Sequence, residues 1–453
     1  MISLSINDNV IKFTFSDNDH YLKNGTIEAP LNSLTLATDD TDMFAFKKAA
    51  SNDIFICGLY SEIGKTKSEL ETYYKENMVG STGGGGGSTA DTEALKGMIQ
   101  RDLTSIDIPS GTTNIGGSSS LFPTSPFSGL TTLSAVTMPD SVTDMCASAF
   151  QNCTNLKDIA LSSGITTIGD NTFSNCYALS GVTIPNGVTS IGDYAFYRCS
   201  GITSLDIPSG VTTIGHDAFA DCKSLTKAEI PDNVTNLNYG VYSGCTNIET
   251  AKIGSGLTTT GQYTFGGCEH LSSVTLSDSI TGINSYCFAG CINLEEIEIP
   301  TGVTAIFDGA FMACFSLKRI NSDTDGVFNL PSGVTSVGGG AFSSCSGMTS
   351  ITMPSGITGF SYSSPVSYCS SLTGITFEST TIGGYTNNFF NGCTSLVSAT
   401  IKATTPPMWP NAFNGTPIAS GNGYIYVPAD LVNTYKTAQY WSTYASQIVA
   451  IPE

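Results

Sequence analysis

From residue 104 onward, apolar and polar positions follow short alternations nested in a longer period. Residues 184–206 read IPNGVTSIGDYAFYRCSGITSLD and residues 207–229 read IPSGVTTIGHDAFADCKSLTKAE, so the period is 23. In SLDIP, Leu205 and Ile207 alternate with Ser204 and Asp206. That is the period of a short half-buried strand. Pro208 ends it, because proline has no N–H to give to a ladder. GVTTIG predicts a turn and a second short extended piece with Val211 and Ile214 inward. HDAFADC predicts about one helical turn, with Phe219 and Cys222 three apart on one face. Leu225 closes the unit.

Cysteine marks the period at Cys153, Cys176, Cys199, Cys222, Cys245, Cys268, Cys291 and Cys314, and after an insertion at Cys345, Cys369 and Cys393. An aromatic stands three residues before most of them, as in Phe150, Phe219 and Tyr242. An aliphatic follows three later, as in Leu156 and Ile202. One unit offers about six apolar side chains, each contributing roughly 1.5–3 kcal/mol on burial. Ordering its backbone costs roughly 1–2 kcal/mol per residue. Order is favoured only when neighbouring coils stack over a continuous core. The expectation is a β-rich solenoid of about twelve 23-residue coils.

The ends differ. Residues 1–78 predict a small α+β domain, with strands in ISLSINDNVIKFTFS and DIFICGLYSEI. TKSELETYYKEN predicts a helix that Thr66 and Glu69 cap reciprocally. Residues 79–103 hold a run of five glycines, a flexible tether, followed by DTEALKGMIQRDL. That second helix is too short to stand alone; it pairs with copies of itself or docks on the first coil. The solenoid is expected over 104–403 and a cap over 404–453. In the cap, Val427 and Pro428 end a last strand. An amphipathic helix from Asp430 to Tyr444 then brings Leu431, Tyr435 and Trp441 over the open end.

Composition narrows the function. Only 12% of the 453 residues are charged, against about 25% in an average soluble protein. The net charge is −20, from 18 basic and 38 acidic residues. Phosphate backbones require clustered Lys and Arg, so neither nucleic acid nor an anionic membrane is an expected partner. MISLSINDNVIKFTFSDND shows no readable secretory signal, and no stretch approaches the roughly 18 apolar residues of a membrane helix. The expectation is therefore synthesis in a cytoplasm without a conventional export route.

Chemistry is sparse. The ladder cysteines come singly, one per coil, whereas metal sites need converging ligands. Stacked coils place them about 4.8 Å apart with parallel vectors, unsuited to disulfides. They are expected to be buried free thiols, and Cys57, Cys146 and Cys287 likewise. His20, His216 and His270 have no second ligand beside them. No GxSxG elbow occurs in a strand–turn–helix context, and the glycine run lacks the Lys-Ser/Thr of a phosphate loop. DTDG at 323–326 lacks the glutamate of a calcium loop. The NGT sites at Asn24 and Asn414 read as turns. Neither an enzyme nor a cofactor is expected.

The pattern IPxGVTxIGxxAFxxCxxLxxI, over residues 104–401, resembles the BspA-like leucine-rich repeat, common in surface proteins of Bacteroidales and their relatives. Residues 425–451 resemble the closing module that often follows such repeats. FKKAASNDIFICGLYSEIGKTKSELETYYKENMVGSTGGGGG is similar to N-terminal segments of virion structural proteins of crAss-like bacteriophages. Those proteins carry a virion-binding head, a glycine linker and variable distal modules. That likeness implies a head fibre or decoration protein, docked on phage capsid or tail proteins through residues 1–78 and displaying the solenoid. The alternative is a bacterial surface adhesin whose export signal is absent from this chain.

Outward strand positions are the candidate binding face for a host-surface glycan or protein. One row holds Ser204, Lys227, Thr250, Ser273 and Glu296; the other holds Asp206, Glu229, Lys252, Thr275 and Glu298. They vary in charge and size over an aliphatic inner frame. The acidic balance around Glu229, Glu296 and Glu298 disfavours anionic polysaccharides. A plain solvated sheet surface is the competing reading.

Overall fold

The computed structural model describes residues 104–452, apart from breaks at 109–112, 116–124, 126 and 361–362, and the backbone of six strands between residues 2 and 59. These six form two three-stranded antiparallel sheets. One holds Ile2–Asn7, Val10–Phe15 and Thr26–Pro30; the other holds Leu34–Ala37, Met43–Lys48 and Ile54–Leu59. The helices expected at 66–77 and 91–103, and the tether between them, lie outside the described residues. The chain divides into two compact units, Met1–Val211 and Thr212–Glu453.

The repeat folds as a β-solenoid of about 14 turns of ~23 residues. The stacked array expected from the period is present, and the C-terminal segment extends its ladder. There Tyr424–Val427 pairs in parallel with Ser398–Ile401, and Ile448–Ala450 pairs with Tyr424–Val427.

In the first unit, Ser105–Asp107, Ala135–Thr137, Asp158–Ala160 and Gly181–Val182 form one parallel ladder. Two-residue strands form a second, as Thr167–Ile168 with Ser190–Ile191. The stretch 203–207 carries no strand. Leu205 and Ile207 are only half-buried there, although Ser204 and Asp206 still point outward. Alternation survives at that coil while pairing is lost. Its predecessor pairs through Gly181, which has no side chain to pack.

In the second unit the first ladder runs through Lys227–Ile230, Thr250–Ile253 and Ser273–Thr275. Further along the chain, Arg319–Ile320 is followed by a strand from the insertion, Val327–Asn329. Phe328 of that strand pairs with Ile320 and with Ile351. It is fully buried and meets Phe342 edge-on at 5.8 Å. The insertion therefore widens the sheet.

HDAFADC is not a helical turn. Asp217 and Asp221 both sit in the left-handed region, at φ 49° and 57°. The N–H groups of Asp217, Phe219 and Asp221 donate to the carbonyls of Tyr239, Val241 and Ser243 in the next coil, at 2.8, 2.9 and 2.8 Å. A helix would have spent those donors internally. Two left-handed residues four apart turn them along the stack instead, which satisfies a buried backbone. Asp and Asn tolerate that conformation better than most residues, and glycine does so without strain. Gly240 and Gly244 take the same two places one coil later.

Within each unit, aromatics of neighbouring coils stack in runs. Phe127, Phe150, Phe173 and Phe196 form one run in the first unit, at 5.2–5.7 Å. Phe219, Tyr242, Phe265, Phe288, Phe311 and Phe342 form another in the second, at 5.2–5.8 Å. At the C-terminus the expected long helix is broken into Ala429–Leu431, Val432–Thr437 and Ser442–Tyr444. The break lets Trp441 turn inward and donate from Nε1 to the Pro407 carbonyl at 2.7 Å. Tyr435 Oη donates to the Ala403 carbonyl at 2.8 Å. Both rings are buried, whereas Leu431 is half-buried.

Candidate binding face

The outward rows are built by register. Lys227 pairs with Thr250 and Thr250 with Ser273; Glu229 pairs with Lys252 and Lys252 with Thr275. Glu296 pairs with Arg319. Lys227, Glu229, Thr250, Lys252, Ser273, Thr275, Glu296 and Glu298 are all exposed. Between them Ala228, Ala251 and Ile297 point into the core. These eight lie in the second unit. Ser204 and Asp206, also exposed, lie in the first, on the stretch without a strand.

Three of the ten are already engaged on the face. Lys227 forms an ion pair with Glu229 at 2.5 Å. Arg319 donates from Nε to Glu296 Oε2 at 2.9 Å and also pairs with Asp325 of the insertion. Beside them Lys318 holds the Glu295 carboxyl below its ordinary range, through a contact of 2.8 Å. Exposed pairs of this kind add little stability. They fix where part of the charge on the sheet sits. The carboxylate of DTDG at Asp325 thus has a guanidinium as its partner.

The two rows continue beyond the insertion, which sequence reasoning missed. Ser350, Gly374, Ser398 and Tyr424 align in one; Thr352, Thr376, Thr400 and Tyr426 align in the other. The signal was present as alternation in SITM, GITF, SATI and YIYV. In the first unit, small residues leave a shallow depression of about 820 Å³ on the sheet, lined by Thr137, Asp158, Ala160, Gly181, Thr183 and Ser204 among others.

The ladder cysteines are free, and those of the ladder are buried; Cys287 is buried and Cys146 half-buried. Their role exceeds filling space. Cys176 Sγ donates to the Phe150 carbonyl at 3.1 Å, and Cys291 Sγ to the Phe265 carbonyl at 3.3 Å. The same bond recurs in most coils. Burial pushes the Cys153 thiol up to about 12 and Cys146 to about 11. Such thiols are protonated and poor nucleophiles. Among the described residues no group of three or more His, Cys, Asp or Glu could hold a metal ion. His270 is exposed, with Nδ1 2.9 Å from the Thr246 carbonyl. No helix among the described residues is long and apolar enough to cross a membrane.

Short parallel strands, stacked rings and one inward aliphatic frame per coil define a leucine-rich repeat protein. The family model described as "BspA type Leucine rich repeat region" matches residues 99–226, 212–327 and 326–428. The chain belongs to the BspA-type leucine-rich repeat family. It is similar to a leucine-rich repeat protein from Bacteroides ovatus at 21% identity, covering 82% of this chain and 99% of that one, with a TM-score of 0.50. A leucine-rich cell surface protein from Faecalibacterium prausnitzii is 21% identical, with 92% of this chain and 94% of that one covered and a TM-score of 0.37. For the pneumococcal vaccine antigen PcpA the values are 18% identity, 78% and 90% coverage, and a TM-score of 0.46. No curated protein matches the sequence.

Proposed function

We propose that this chain is a non-enzymatic, adhesin-type binding protein whose repeat array is displayed at a surface and reads a partner through the outer face of its first ladder. The observation that carries this reading is the contrast between the two sides of that sheet. Inward positions such as Ala228, Ile230, Ala251 and Ile253 are uniformly aliphatic, while outward positions change from Lys227 to Thr250 and from Glu229 to Lys252. A rigid backbone with variable outward rows is a scaffold on which specificity can be written without cost to the core.

The particle that carries the array is read from the other end. The likeness of residues 46–87 to phage virion segments supports attachment to a capsid or tail through residues 1–78, with the glycine run as tether and residues 91–103 as a contact between copies. Many tethered copies would then gain avidity from weak contacts. Membership of a repeat family common on bacterial surfaces supports the second reading, an adhesin on a cell.

The test has two arms. Labelled full-length protein is measured on intact Bacteroidales cells, beside the variant carrying Lys227→Ala, Glu229→Ala, Glu296→Ala and Glu298→Ala. Reduced binding by a folded variant is expected; unchanged binding moves the site elsewhere. Mass spectrometry of purified phage particles and of washed cell envelopes then locates the chain. Recovery from envelopes alone would reject the virion.

A further inference from the structure

The outer face changes character along the second unit. From Lys227 to Arg319 it carries charges of both signs. Over the four strands Ser350–Met353, Gly374–Phe377, Ser398–Ile401 and Tyr424–Val427, both outward rows are hydroxyl, glycine or tyrosine only. The charges at their margin, Glu378 and Lys402, neutralise one another at 2.7 Å.

Gly374 is the odd residue of this patch. Its φ lies outside the left-handed region, so the backbone does not require glycine there. A Cβ built on it meets nothing within 4 Å, so packing does not require glycine either. Glycine inside a strand weakens it and often marks close approach by a ligand. Here it leaves a gap between Ser350 and Ser398, its two register partners. Tyr424, 52% exposed, stands at the end of that same row beside Ser398. Tyr426 stands beside Thr400, its ring 6.2 Å from that of Tyr424.

We infer that the open strip over Gly374, flanked by Ser350 and Ser398 in its own row and by Thr376 and Thr400 in the next and ended by Tyr424 and Tyr426, binds an uncharged oligosaccharide lying across the strands. The chemistry selects that partner. Hydroxyl side chains both donate and accept, which matches sugar hydroxyls. Tyrosine offers an apolar ring face with a polar tip, suited to the C–H face of a pyranose. A face without uncompensated charge gives no attraction to sulfated or uronic chains. Adjacent strands lie about 4.8 Å apart, so the four strands accommodate a short run of sugar units. This inference rests on the reading of the outer face as a binding surface, but it names different residues.

The test is affinity gel electrophoresis of the full-length chain in gels containing dextran, pullulan or mannan as neutral polymers and alginate or heparin as anionic ones. Retardation is expected in at least one neutral gel and in neither anionic gel. Tyr424→Ala should weaken it about tenfold, the loss of one aromatic contact. Gly374→Trp should abolish it by filling the gap, whereas Gly374→Ala should leave it nearly intact. Phe315→Ala, an exposed substitution outside both rows, should be retarded normally. No retardation in any neutral gel, retardation by the anionic polymers alone, or equal retardation of Tyr424→Ala overturns the inference. Should Gly374→Trp fail to fold, the variants at the exposed Tyr424 and the half-buried Tyr426, each to alanine, still decide it. Cell binding that survives Tyr424→Ala and is lost in the Lys227/Glu229/Glu296/Glu298 quadruple variant rejects this site and leaves the broader function standing.

Discussion

The thiol of Cys245 donates to the backbone carbonyl of Phe219, 26 residues earlier, at 3.0 Å. That carbonyl also accepts the N–H of Cys222 in its own coil at 3.2 Å. One atom is thus tied both within its turn and to the next. A residue in this place must be small, largely apolar and able to donate, and cysteine meets all three conditions. Cys245→Ala removes the bond and leaves a small void, at an expected cost of about 1–2 kcal/mol. Cys245→Ser keeps a donor and should lose less. Denaturant melts of the two variants check the order, and an alanine variant as stable as the parent would show that the bond contributes nothing.

The same burial predicts an alkaline transition. Cys153 and Cys287 are raised from an ordinary value of 9.0 to about 12, with desolvation the largest cause for each. A group whose folded value is raised contributes stability that is complete below its unfolded value and lost as pH climbs through its folded value. Unfolding free energy should therefore fall between pH 9 and about 12, with a slope that shrinks as ladder cysteines are replaced by alanine. A thiol reagent at pH 8 should leave the ladder thiols of the native protein almost unreacted, and titration of denatured, unreduced protein should recover nearly all 14 thiols. Half-cystines at ladder positions would refute the free-thiol ladder.

Phe219 is fully buried and stacks on Tyr242 at 5.2 Å. Phe219→Ala removes a ring from a run of rings that cannot collapse without shifting neighbouring coils. The expected cost is about 3–5 kcal/mol. Phe315, 50% exposed, is the control within the same unit. Phe315→Ala should change the melting temperature far less; equal effects would mean that the ring run is not the core.

What was legible in the sequence is what the repeat forces. Period, inward aliphatics, the aromatic run and the free thiols follow from one stacking argument, because only side chains shared between coils can be buried. What was not legible depended on partners in other coils. Phe219 and Cys222, three apart, fit a helical turn equally well, and only the carbonyls of Tyr239, Val241 and Ser243 exclude it. Segment 425–451 reads as a strand and a helix. That Tyr424–Val427 extends the ladder, and so carries Tyr424 and Tyr426 onto the outer face, depends on pairing with Ser398–Ile401 across an irregular connection. The ten candidate face residues were placed outward correctly by alternation alone, while their ion pairs, such as Glu296 with Arg319, depend on rotamers that no spacing reveals.

The insertion offers a local prediction. Arg319 pairs with both Glu296 and Asp325, and Gly326 N–H donates to the Lys318 carbonyl at 2.7 Å. Arg319→Ala releases the charged half of this tie and leaves the backbone bond. Limited proteolysis should then cut faster between residues 321 and 326, with overall melting nearly unchanged because the pairs are exposed. High salt should produce the same acceleration in the parent protein. A cleavage rate insensitive to both changes would mean that Phe328, buried beneath, holds the loop unaided.

Closure of the C-terminal end depends on Trp441. Its ring is buried, 6.0 Å from that of Trp409 and 5.1 Å from that of Tyr435, and its Nε1–H satisfies the Pro407 carbonyl at 2.7 Å. The two contributions separate by substitution. Trp441→Phe keeps most of the apolar contact and strips the donor; the Pro407 carbonyl keeps the Trp409 N–H at 3.0 Å, so the loss is that of one hydrogen bond, about 0.5–1.5 kcal/mol. Trp441→Ala also opens a cavity, at about 3–5 kcal/mol. Because each coil of a stacked array leans chiefly on its neighbours, the damage should begin at this end. Hydrogen exchange should quicken first in Ile448–Ala450 and Tyr424–Val427, while Lys227–Ile230 keeps its protection. Uniform acceleration through the whole unit would instead mean that the array unfolds as one cooperative block and that Trp441 stabilises all of it equally.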